Sequence, residues 1–87
     1  MKKEALLDEM KEICEQLGYT VRFERGDFTG GHCVLHEEKL IVINKRSAIE
    51  RKLSVLAEFL ANEDIEGVYL KPAVREFLDE KMAETDK

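Results

Sequence analysis

The chain has no tryptophan, one proline, two cysteines and two histidines among its 87 residues. Two cysteines are too few to hold a small fold together with disulfides. The start, Met1-Lys-Lys-Glu-Ala-Leu-Leu-Asp8, carries charges where a signal peptide needs an unbroken apolar stretch, so the chain is expected in the reducing cytoplasm. No apolar run approaches the roughly 20 residues that span a bilayer, and no membrane association is expected. Positive charge is scarce as well. Fourteen lysines and arginines stand against nineteen aspartates and glutamates, a net charge of -5. Binding to a nucleic-acid backbone needs a clustered positive field, so no nucleic-acid partner is expected.

What is present describes a folded domain. A hydrophobic fraction of 44% is ordinary for a globular protein and argues against disorder despite 38% charged residues. Residues 1–87 make room for a single domain, with 84–87 expected as a frayed tail. A chain this short buries only about 60–65% of the surface its unfolded form exposes. Its core has little to spare.

Residues 3 to 17 repeat apolar side chains at helical spacing (Leu6, Met10, Ile13, Leu17, flanked by Leu7 and Cys14), and Gly18 follows as a helix terminator. The period then changes to two: Tyr19, Val21 and Phe23 alternate with Thr20, Arg22 and Glu24, which describes a strand. Two further strands follow at 32–36 and 39–44, joined across Glu37-Glu38. Leu40-Ile-Val-Ile43 is apolar without alternation, which calls for a central or helix-covered strand with both faces protected. Ser47-Ala-Ile-Glu50 fits a capping box opening a helix to about Asn62. Its apolar arc is wide, with Ile49, Leu53, Leu56 and Leu60 beside a second stripe at Ala48, Val55 and Phe59. Pro72 starts the last helix, whose buried side is Val74, Phe77, Leu78 and Met82. The expected architecture is a small α+β domain in the order α-β-β-β-α-α, with a three-stranded antiparallel sheet covered by helices.

Candidate chemistry is sparse. Gly30-Gly31-His32-Cys33 suggests a thiol or small-molecule site at residues 25–31 and Cys33. Adjacent strand residues point to opposite faces, however, so His32 cannot serve Cys33 as a base, and His36 shares the face of His32. Cys33 and Cys14 are therefore read as small buried thiols. His32 and His36 lie about 13 Å apart along a strand, too far to share one zinc, and are placed on the less buried face. Gly30-Gly31 runs into a strand rather than a helix, which disfavours a phosphate loop and favours a turn or close backbone contact. Arg25-Gly26-Asp27 matches an adhesion tripeptide by coincidence. Lys45, Arg46, Arg51 and Lys52 form the main basic cluster, read as solvated surface. No metal and no cofactor are expected.

Gly30-Gly31-x-Cys33-x-Leu35, Ile41-Val-Ile-Asn44 and Pro72-x-x-Arg75 together resemble a group of short uncharacterised bacterial proteins, a resemblance that implies no mechanism. The element order also resembles the minimal zincin-like metallopeptidase scaffold. There the helix after the sheet carries His-Glu-x-x-His for zinc and base. Here that stretch is Ala57-Glu58-Phe59-Leu60-Ala61, so the resemblance implies a scaffold without zinc or peptidase activity. The function expected is a non-enzymatic interaction module that self-associates, with Val55 and Phe59 as an exposed contact pair. The alternative is the thiol or small-molecule site around Cys33, with His32, Gly30 and Gly31.

Overall fold

The computed structural model of the chain describes residues 1–25 and 31–85. The elements run α1 (Lys3–Gln16), β1 (Thr20–Glu24), β2 (His32–Leu35), β3 (Leu40–Asn44), α2 (Ile49–Ala61) and α3 (Pro72–Thr85). This is the expected α+β order. The last helix runs to Thr85, and residues 86 and 87 lie outside the described residues.

The strands are ordered β1-β3-β2, with β1 parallel and β2 antiparallel to β3. The sheet is thus mixed, which corrects the antiparallel expectation. The apolar character of β3 sets the order: Leu40-Ile-Val-Ile43 takes the centre, and the more polar β1 and β2 take the edges. Once β3 is inserted between two strands of opposite direction, it must run parallel to one of them.

Helix α1 ends where Gly18 adopts a φ of +93°, a conformation that side chains disfavour. The Gly18 amide donates to the Glu15 carbonyl at 2.9 Å and the Tyr19 amide to the Cys14 carbonyl at 3.0 Å. These two bonds satisfy carbonyls that the helix end would leave orphaned. The reversal delivers Tyr19 and β1 directly alongside α1. At the β2–β3 turn, the Lys39 amide donates to the His36 carbonyl at 3.2 Å and Lys39 itself takes a φ of +52°.

The capping box does not form. Helix α2 begins after Ala48, with no side-chain cap. The Ser47 amide that Glu50 should have capped donates instead to the Asn44 carbonyl at 3.0 Å, closing the turn after β3. The Glu50 carboxylate accepts from Lys3 Nζ at 2.7 Å. That bond, with the lysine charge, holds the Glu50 carboxyl below the usual carboxylate range.

One continuous core joins the helices to one face of the sheet. Met10, Cys14, Ile41, Ile43, Leu56, Leu60 and Val74 have essentially no exposed surface. No buried side-chain nitrogen or oxygen among the described residues lacks a partner. The wide apolar arc of α2 is real, with Leu53, Val55, Leu56, Ala57, Phe59 and Leu60 all buried. On α3, Val74 and Leu78 are buried, but Met82 is exposed rather than core. No described helix is long and apolar enough to cross a membrane.

Candidate functional site

Strand register sorts the side chains of the sheet. On the helix-covered face the rows are Val21–Ile41–Val34 and Phe23–Ile43–His32. On the opposite face they are Thr20–Leu40–Leu35 and Arg22–Val42–Cys33. Thr20, Arg22, Cys33 and Leu35 are exposed, while Leu40 and Val42 are half-buried. No described helix lies over this second face. The expectation that both faces of β3 are covered therefore holds for Ile41 and Ile43 and fails for Leu40 and Val42.

Cys33 is exposed, not a buried thiol. The parity of β2 is the reverse of the expected one: Cys33 and Leu35 face outward, and His32 and Val34 turn toward the helices. His-Cys-Val-Leu-His offers apolar residues at both parities, so pattern alone cannot choose a face. Pairing with β3 does choose, because Ile41 and Ile43 fix the covered side. His32 is accordingly not a base for Cys33, as the alternation required. The neighbours of Cys33 across the row are Val42 and then Arg22, and Arg22 Nη2 is engaged by Glu24 Oε1 at 3.0 Å.

His32 turns toward the helices rather than the less buried face, exposed His36 follows the end of β2, and both line a hollow of about 310 Å³ between β2 and α2. Its floor is Val34, Val55 and Phe59, and the α2 side carries Glu58, Asn62 and Glu63. Tyr19 supports it from behind. Its ring meets Phe59 edge-on at 4.6 Å, and its hydroxyl lies 3.2 Å from His36 Nδ1, donating or accepting according to the imidazole tautomer. His36 lies roughly parallel to Phe59 with centroids 6.5 Å apart. The rings thus fix the wall at the end of β2. A second hollow of about 290 Å³ borders the same strand at Val34, Leu35, His36, Glu37 and Glu38. A third, of about 320 Å³, lies in the α2–α3 connection, where Tyr69 is 79% exposed beside Arg75.

Val55 and Phe59 are 5% and 7% exposed, which corrects their reading as an exposed contact pair. Their edges reach the surface only as the floor of the first hollow. Gly31 takes a φ of +76°, and a Cβ there would stand 3.4 Å from Ser47 Oγ. The positive φ, not lack of room, is what favours glycine there. Gly30 lies outside the described residues with 26–29, so the Gly30-Gly31 loop and the Arg25-Gly26-Asp27 tripeptide are seen only at Arg25 and Gly31. Lys52 Nζ lies 5.5 Å from the centroid of the Phe23 ring, which removes one member of the basic cluster to a packing role.

Sequence reasoning missed Glu58, Glu63 and Asn62 as hollow-lining residues. Their helical spacing with Val55 and Phe59 would have placed them beside that stripe, but nothing in the sequence says that the stripe borders β2. Among the described residues no group of three or more histidines, cysteines, aspartates or glutamates is placed to hold a metal ion. The lining of the first hollow includes no thiol or hydroxyl among the described residues. The arrangement combines an apolar floor, aromatic support and carboxylates on one wall. Compared with known proteins, the chain matches no family model, no curated protein and no solved structure.

Proposed function

We propose that this chain is a non-enzymatic interaction module that self-associates through the open face of its sheet. The observation that carries the reading is the patch Cys33, Leu35, Leu40 and Val42, apolar and uncovered by any described helix, on a domain whose helices all serve the other side. Among the described residues, the charged strand residues on that face are Arg22 and Glu24, one of each sign. Elsewhere the chain repels its own copies through its net charge of -5; this face does not.

The size of the patch sets the strength. Three strands of about five residues give a footprint near 14 × 16 Å, well under the roughly 800 Å² per partner of a stable interface. Self-association is therefore weak, with a Kd on the order of 10⁻⁴ M. Sedimentation velocity from about 5 to 500 µM should show a reversible dimer at the upper end. Val42→Lys sets like charges against each other at the centre and should abolish it, and Leu35→Lys does the same from the edge strand with less risk to folding. A wild type that stays monomeric throughout, or an association indifferent to both variants, overturns the reading.

A second reading, a thiol-dependent or small-molecule site at Cys33, gains support from the exposure of that residue. It requires a thiolate more reactive than an ordinary one. Alkylation of the folded protein faster than of the urea-unfolded chain at neutral pH would favour it. An equal or slower rate removes it.

A further inference from the structure

β2 is an edge strand: it pairs with β3 on one side only, and no described strand meets its other side. Alternate residues of an edge strand turn their N–H and C=O groups outward, and an extended chain can add there by main-chain hydrogen bonds. Two hollows border this same strand, the one over Val34, Val55 and Phe59 and the one beside Leu35 and His36. A chain laid along β2 would send every second side chain toward the first hollow.

The charge around the edge selects the occupant. Glu58 and Glu63 stand on the helix side of the first hollow, and Glu37 and Glu38 border the second. A second copy of this chain, paired through β2 about a twofold axis, would bring these acids against their own equivalents. Like charges at such an edge disfavour that assembly. We propose that β2 and its two hollows receive an extended basic peptide of a partner protein, with arginine or lysine side chains laying their apolar stems over Val34 and Phe59 and their heads against Glu58 and Glu63. This site shares Leu35 with the open face, but its first hollow and acidic wall lie on the helix side of β2, so it stands whether or not the chain self-associates.

The probe is a capped eight-residue peptide alternating arginine with valine, compared with its glutamate–valine counterpart in amide NMR titrations of the full chain. The arginine peptide should bind with a Kd near 10⁻⁴ M and shift the amides of residues 32–36 and 55–63. The glutamate peptide should bind at least about ten-fold more weakly, and Glu58→Gln with Glu63→Gln together should weaken the arginine peptide about five-fold. Both glutamines preserve shape, at exposed Glu58 on α2 and at half-buried Glu63 just past its end, so the fold is not at stake. Any one of four results overturns the proposal: no shifts at about 1 mM peptide, equal binding of the two peptides, shifts that spare residues 55–63, or concentration-dependent shifts of the residues 55–63 amides in peptide-free protein, which would place a second copy at the edge.

Discussion

Cys14 is fully buried in α1, and burial, with the negative charge of Glu15 next, pushes its thiol up to about 12 from 9.0. Such a thiol is inert in the folded protein but ionises near 9.0 once the chain unfolds. Between those two values the unfolded state holds fewer protons than the folded one, so stability falls as pH rises; below pH 9 the contribution is complete. The loss should reach roughly 2 kcal/mol by about pH 10.5. Urea midpoints at pH 8 and about pH 10.5 for the wild type and Cys14→Ala test it, since the alanine variant lacks this component of the decline. Parallel pH profiles would show that the Cys14 thiol does not titrate differently on unfolding. The burial of Cys14 is legible in the helical period of residues 3 to 17. That of Cys33 is not, because a four-residue strand with apolar residues at both parities takes its orientation from a partner strand that local pattern cannot reveal.

At the scale of elements, the start of α2 shows a local signal overruled by its surroundings. Ser47 and Glu50 carry the spacing of a capping box, yet the Ser47 amide closes the turn from Asn44 and Glu50 reaches across to Lys3. The helix is left with Ala48 at its N-cap, in the extended conformation a capping residue needs, its carbonyl already accepting from the Arg51 and Lys52 amides at 3.0 and 3.1 Å. Ala48→Asp supplies the missing side-chain acceptor and a negative charge at the positive end of the helix. Stability should rise by about 1 kcal/mol, or roughly 4–8 °C in Tm. An unchanged Tm would mean that water already caps these amides as well. The number, type and order of elements were readable because each depends on short-range periodicity and on terminators such as Gly18 and Pro72. The direction of β1 was not: a hairpin of β2 and β3, with β3 forced to the centre by its apolar run, leaves β1 only the far edge, which fixes its place without fixing its direction. The hollow depends on α2 meeting β2, elements whose sequences say nothing about one another.

The whole molecule, with a Cα radius of gyration of 12.4 Å and a net charge of -5, is small enough for its overall charge to be felt at every surface when salt is low. The screening length shrinks from about 30 Å at 0.01 M to about 10 Å at 0.1 M, so salt changes long-range repulsion more than contacts within the hollow or across the open face. The two proposed interactions then respond with opposite sign. Two copies meeting through the nearly neutral open face are held apart chiefly by their total charge, and screening it favours the dimer. A basic peptide drawn to Glu58 and Glu63 is helped by the same field and loses that help as it is screened. Raising salt from about 10 to 150 mM should therefore strengthen self-association and weaken arginine-peptide binding, each by a few-fold. Sedimentation for the first and NMR titration for the second give both slopes on one preparation. A dimer weakened by salt would point to a charged contact surface rather than the Leu35–Val42 patch, and a peptide affinity indifferent to salt would mean that the acidic wall of the hollow does not choose its occupant.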